Sequence, residues 1–191
     1  MATATDPVAR HRGHRQALSG LVGPLTLVLV VVALGACSPR TADKGLSVSE
    51  PFLPTGVATE VLALVNEARS APVTCGTQQL PAAGPLVLEQ RLSSAAQGHS
   101  EDMYEHGFMG HGGSDGSNFI QRAERSGYGW SALAENVAYG YTEPATVVAG
   151  WLGSPGHCVN IMNSQVTELG VGLEGTYWTQ LFGAPAFSDR Q

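Results

Sequence analysis

The chain predicts an α+β fold in which helices cover an antiparallel sheet. Three observations carry this. Apolar residues recur at helical spacing between residues 59 and 106. Two β-type runs, Leu169–Glu174 and Tyr177–Phe182, close the chain around a Gly175-Thr176 turn signal. Helices therefore come first and strands last, the order expected when helices are segregated against an antiparallel sheet.

The elements follow in order. Thr59 to Arg69 reads as a helix, with Val61, Leu62, Leu64, Val65 and Ala68 as its apolar stripe and Thr59 as its cap. Ser70 to Pro85 holds three Pro and two Gly and reads as a long loop containing Cys75. Leu86 to His106 is the main helix, with Leu88, Leu92, Ala95, Ala96, His99 and Met103 along one face. His99 on that face reads as a core histidine bonded to backbone, since buried polar groups find partners. His106 suits the negative end of a helix dipole.

Gly107 to Asn118 is a glycine-rich loop. Its Gly112-Gly113-Ser114-Asp115-Gly116 matches G-x-S-x-G in letters, but a nucleophile elbow needs a preceding strand, and here a helix precedes it. Ser117 or Asn118 caps a short helix to Arg125, with Phe119, Ile120 and Ala123 inward. Residues 127–130 read as a connector. Thr142 caps a further helix, with Pro144 in its first turn, Val147, Val148 and Trp151 inward, and Ser154-Pro155-Gly156 as its end. Gly170 and Gly172 in the first strand imply that something bulky packs closely against it.

The N-terminus reads as an export signal rather than as part of the fold. Arg10, Arg12 and Arg15 precede an apolar run, Leu18 to Leu34, that ends in Leu34-Gly35-Ala36-Cys37. The rival reading is a permanent membrane helix, which the run barely reaches in length and which Gly23-Pro24 interrupts. Leu-Gly-Ala-Cys resembles a bacterial lipobox, which makes Cys37 the expected site of lipidation, with plain secretion as the alternative. Residues 1–37 are then a lipoprotein-type signal, 38–56 a tether broken by Pro51 and Pro54, and 57–187 the domain. With Cys37 acylated, Cys75 and Cys158 remain as an even pair, expected to form a disulfide in an exported protein. Two buried thiols and a catalytic Cys158 beside His157 are the other readings.

The whole chain carries a formal charge of −6. Removing residues 1–37 leaves 7 Lys+Arg against 15 Asp+Glu, or −8. Such an acidic module is a poor nucleic-acid binder.

Five ordered motifs carry a family resemblance. They are His99-Ser100-Glu101-Asp102-Met103, Gly110-His111-Gly112, Ala134-Glu135-Asn136-Val137-Ala138, Trp151-Leu152-Gly153-Ser154-Pro155-Gly156-His157 with Asn160-Ile161-Met162, and Glu168-Leu169-Gly170-Val171-Gly172. Together they resemble the CAP superfamily (cysteine-rich secretory proteins, antigen 5 and plant pathogenesis-related 1 proteins), in its short bacterial extracellular SCP-like branch. The resemblance implies a three-layer α-β-α sandwich with a central, mostly antiparallel sheet. It also implies a cleft where His111, Glu135 and His157 converge. The family's second cleft Glu has no counterpart after Trp151, leaving that position absent or filled by Ser154 or Glu168.

Two imidazoles could hold Zn²⁺ with Glu135 as a further ligand or as the orienter of a water, so His111 and His157 are the candidate metal ligands. The alternative is a hydrogen-bond network that holds the loops, with Asn136 in its scaffold. Trp130, Tyr139 and Tyr141 could wall the cleft. The expected function is a cell-envelope binding module, anchored to the membrane by its lipid, for a lipid, glycan or protein ligand. The competing function is a metal-assisted hydrolase of peptide or envelope polymer.

Overall fold

The computed structural model describes residues 56–186. The expected signal over 1–37, lipidation at Cys37 and the tether of 38–56 lie outside these residues, except that Gly56 is already helical. Helix α1 spans Gly56–Arg69, so Thr59 lies within it rather than capping it. It buries Ala58, Val61 and Val65, and ends at a buried Arg69. That guanidinium donates to the carbonyls of Gly84, Ile161 and Asn163 at 2.7, 2.6 and 2.9 Å. One satisfied buried cation thus ties the helix end to two distant loops.

The expected loop of 70–85 contains a small antiparallel hairpin, β1 (Val73–Cys75) with β2 (Gln78–Leu80). Strands of three residues are shorter than a periodicity test detects. The main helix starts later than its pattern suggested. Val87–Leu88 form β3, parallel to a later strand, and α2 runs Gln90–His106. Leu86 and Leu88 continue the helical spacing, but Val87 and Glu89 donate instead to Thr167 and Leu169. Glu89 is the N-cap, its carboxylate accepting from Leu92 N, and Gly107 closes the helix at φ +65°. Leu92, Ala95, Ala96, His99 and Met103 are buried as the stripe predicts.

Helix α3 (Phe119–Arg125) opens with a reciprocal capping box between Asn118 and Gln121. The next element, strand β4 (Trp130–Tyr139), is absent from the pattern reading. Its residues 135–138 are all buried, so no apolar/polar alternation announces it. Helix α4 (Pro144–Gly153) has Glu143 rather than Thr142 at its N-cap position, with no side-chain capping bond, and Val147, Val148 and Trp151 are buried. Ser154-Pro155-Gly156 does more than end α4. Pro155 is the first residue of α5 (Pro155–Ile161), a position where its missing N–H costs nothing. Strands β5 (Glu168–Glu174) and β6 (Tyr177–Pro185) form the expected hairpin, with Gly175 at φ +57° in the turn.

The main sheet has four strands in the order β3-β5-β6-β4. β3 is parallel to β5, and the other pairs are antiparallel. One face packs against α1, α4 and α5 through Leu169, Val171, Trp178 and Phe182. The other packs against α2 and α3 through Leu181. The result is three layers, with apolar core on both faces of the sheet. The strand glycines let α2 approach closely. A Cβ on Gly170 would lie 2.2 Å from the Leu92 carbonyl carbon, and one on Gly172 2.3 Å from that of Ala96. Among the described residues, no helix is long and apolar enough to cross a membrane.

A clamped glutamate beside a histidine cleft

β4 is an edge strand, and its outward carbonyls are taken by side chains rather than by another strand. Asn160 Nδ2 donates to Glu135 C=O at 3.1 Å, and Trp151 Nε1 donates to Val137 C=O at 3.2 Å. These contacts blunt the edge. Successive strand residues point to opposite faces. Glu135 is paired with Leu181, so it faces the α2–α3 layer, and Asn136, paired with Gln180, faces α5.

Glu135 has a side chain only 1% exposed, and both of its oxygens are committed. Arg122 Nη2 donates to them at 2.8 and 3.1 Å, and His111 Nδ1 lies 3.0 Å from Oε1. Arg122 also donates to the carbonyls of His111 and Ser117, at 3.0 and 3.2 Å. One arginine from α3 therefore neutralises the buried carboxylate and grips both ends of the loop that carries His111. Sequence reasoning missed it. The available signal was that Phe119, Arg122 and Ala123 share one helix face, directly after the histidine loop.

His99 supports the same loop from below. Its Nε2 donates to Gly110 C=O at 2.8 Å, as expected of a core histidine, while its buried Nδ1 lacks a partner among the described residues. Burial, and then the Arg122 charge, push its pKa below the usual histidine value. Ser114 is not an elbow nucleophile. Its N–H and Oγ both donate to Asp102, at 2.8 and 2.5 Å. Burial alone would raise the Asp102 pKa, but these two bonds, with His106 and His99 nearby, hold it below the usual carboxylate range.

His157 comes from the opposite layer. Its carbonyl accepts from Asn136 Nδ2 at 3.2 Å, and Asn136 Oδ1 accepts from Asn160 at 2.9 Å. Asn136 is thus the scaffold amide that the sequence suggested. The half-buried His157 ring lines a cavity of about 280 Å³ with Met109, Tyr139, Tyr141, Trp151 and Ser154. Burial, and then the nearby His111, lower its pKa. The disulfide joins Cys75 to Cys158 with Cα atoms 5.5 Å apart, stapling the β1–β2 hairpin to α5 next to this histidine. It also removes Cys158 as a nucleophile.

His111 and Glu135 are in direct contact, whereas the His157 ring makes no hydrogen bond among the described residues and instead faces the cavity. Ser154 lines this cavity and is a member of the cleft. Glu168 is not, because it accepts a 2.5 Å bond from Tyr128 at the start of β5. Tyr139 and Tyr141 wall the cleft, but Trp130 sits at the far end of β4 and donates to Glu124. A zinc site fits poorly. Among the described residues no three His, Cys, Asp or Glu side chains converge, and the carboxylate nearest the histidines already has a guanidinium on both oxygens.

Comparison with known proteins agrees with this architecture. The model of the cysteine-rich secretory protein (CAP) family matches residues 62–182. The uncharacterized protein YkwD of Bacillus subtilis (strain 168) is 30% identical over 148 residues, covering 76% of this chain and 54% of that protein. The uncharacterized membrane protein YlbC of the same strain is 37% identical over 97 residues, 51% of this chain and 28% of that protein. The chain thus spans about half, or less, of these relatives. Among solved structures, an extracellular SCP-domain protein from Bacillus anthracis str. Ames matches with a TM-score of 0.60 at 28% identity, covering 71% of this chain and 45% of that one. An outer surface protein from Borrelia burgdorferi shares the fold, with a TM-score of 0.54 at 20% identity over 67% of this chain and 89% of that one.

Proposed function

The chain belongs to the cysteine-rich secretory protein (CAP) family, and from that premise we propose that it is an exported binding module of the bacterial cell envelope. In this reading residues 1–37 direct export, Cys37 carries lipid, and residues 38–56 tether the domain of 57–187 outside the membrane. The Cys75–Cys158 bridge supports an oxidising compartment. The extracellular description of the Bacillus anthracis relative agrees with it.

One observation carries the choice of binding over hydrolysis. The carboxylate and the thiol near the cleft, and the serine of the G-x-S-x-G match, are already engaged. This leaves only the His157 imidazole and the Ser154 hydroxyl facing the cavity, with no carboxylate among the described residues to orient them. Glu135 is held by Arg122 and His111, Ser114 by Asp102, and Cys158 by Cys75. What faces the cavity is an imidazole, a serine hydroxyl, two tyrosines and a methionine. Aromatic bodies with polar tips suit recognition. At about 280 Å³ the cavity sits at the small end of ligand sites, which run roughly 300–1,000 Å³. It suits one ring of a glycan, or one side chain of a peptide, better than a whole lipid. His111 and His157 remain the two imidazoles that a metal would meet.

The test pairs zinc titration with binding of solubilised peptidoglycan fragments, in the wild type, His111→Ala and His157→Ala. The expected result is no stoichiometric zinc, together with saturable fragment binding that His157→Ala weakens. Stoichiometric zinc lost in His111→Ala, with zinc-dependent cleavage of peptide or polymer, would establish the hydrolase reading instead.

A further inference from the structure

The hairpin end of the sheet carries a row of tyrosines. Tyr139 closes β4 and Tyr177 opens β6, and the strand register sets them side by side, with ring centroids 4.5 Å apart. Tyr104, near the end of α2, meets the Tyr177 ring at 6.2 Å and nearly at right angles. The turn makes room for it. Gly175 sits at φ +57°, and a Cβ there would lie 2.8 Å from the Tyr104 ring. Tyr177 is half-buried and touches both of the others, whereas Tyr104 and Tyr139 are 54% and 57% exposed. Packing accounts for the middle ring. It does not account for two flanking rings left in water, and contiguous exposed aromatic surface marks an interaction site.

The row is continuous with the His157 cavity, because Tyr139 belongs to both. Its chemistry narrows the ligand. Glu174 is the register partner of Tyr177, so the alternation of strand side chains puts its carboxylate on the same face. The arginines of the described residues bind elsewhere: Arg69 to loop carbonyls, Arg91 to Glu89, Arg122 to Glu135 and Arg125 to Asp115. A phosphate or fatty-acid headgroup would thus meet a like charge and no guanidinium. A neutral sugar ring is matched on both counts. Its C–H face lies flat on an aromatic ring, and its rim hydroxyls donate to a carboxylate. Aromatic faces repeated along a line suit a polymer of such rings.

We infer that the row is a second subsite of the same binding surface and that its ligand is a neutral glycan strand. One ring enters the His157 cavity, and the following rings stack along Tyr139 and Tyr104. The inference rests on the binding reading above. It adds the class of ligand and the direction in which the ligand leaves the cavity. Tyr104 is not among the residues that line the cavity, so its side chain reports on the row alone.

Calorimetric titration of the full chain with N-acetylglucosamine oligomers, from the dimer to the hexamer, tests this in the wild type, Tyr104→Ala, Tyr104→Phe and His157→Ala. Affinity is expected to rise with oligomer length. Tyr104→Ala should weaken hexamer binding roughly two- to tenfold, the size of one aromatic contact, and leave the dimer unchanged. Tyr104→Phe keeps the ring and should bind as the wild type does. Trp151 and Trp178 fluorescence verifies that the fold persists in each variant. Length-independent affinity, or hexamer binding untouched by Tyr104→Ala, overturns the second subsite. If His157→Ala still weakens the dimer in that case, the binding reading itself stands. Binding of no oligomer, with peptidoglycan fragments that carry stem peptides still bound, overturns the glycan strand in favour of a peptide ligand. Failure of both probes overturns the inference together with the binding reading it rests on.

Discussion

Replacing Glu135 distinguishes a scaffold carboxylate from a ligand or general base. In the structure this group is almost fully buried, and it balances an Arg122 side chain that is itself only 10% exposed. Removing one partner of a buried ion pair strands the other charge and costs about 3–5 kcal/mol. Against a total stability of roughly 5–15 kcal/mol for such a domain, that is a large share. Glu135→Leu and Arg122→Met should each fall in this range. Arg122→Met additionally releases the Ser117 and His111 carbonyls. The double variant Glu135→Leu/Arg122→Met buries no charge and should cost less than either single variant, a coupling above about 3 kcal/mol. Urea unfolding with the disulfide intact, followed by Trp151 and Trp178 fluorescence, measures all four proteins. Single variants costing under about 1 kcal/mol, with effects additive within about 0.5 kcal/mol, would refute the clamp. Glu135 would then be free to serve as a ligand or base.

Three further outcomes follow from the geometry. Replacing Cys75 and Cys158 by alanine reopens a sequence separation of 83 residues, so the chain-entropy model gives a loss near 4.5 kcal/mol, read as a shift in urea midpoint. Gly172→Ala drives a Cβ to 2.3 Å from the Ala96 backbone, which cannot rotate away, so a loss at the upper end of the roughly 1–3 kcal/mol overpacking range is expected in thermal melts. The native pKa values of His99 and His157 are lowered, chiefly by burial, so below about pH 6.5 the unfolded chain takes up protons that the native state refuses. Stability should fall as pH drops from about 6.5 until the native histidines titrate. Asp102, with its pKa held down, contributes stability that disappears only at lower pH, as that carboxylate protonates. His99→Gln keeps a donor for Gly110 without a titratable ring, and should flatten the first of these windows in urea titrations at pH 7.5 and 5.5.

Much of the architecture was legible in local sequence. The Leu92, Ala95, Ala96, His99, Met103 stripe identifies the face α2 buries, because helical spacing repeats whatever the partner is. The Gly175-Thr176 turn specifies the β5–β6 hairpin, and Gly170 and Gly172 announce the close approach of α2. Cys75 and Cys158 could be paired by arithmetic, and the His111 and Glu135 motifs did come together. What local sequence could not supply depended on contacts between distant segments. β4 is buried on both faces around Glu135 and Asn136, so its alternation vanishes. β3 took Val87 and Leu88 out of a helical run because β5 offered a ladder. Arg122 became the counter-charge of Glu135 only when α3 folded over the edge of β4, and no local pattern encodes which buried carboxylate a helix arginine will meet. The same contact decides that Glu135 is an anchor for the histidine loop, because a buried carboxylate is stable only where its charge is matched.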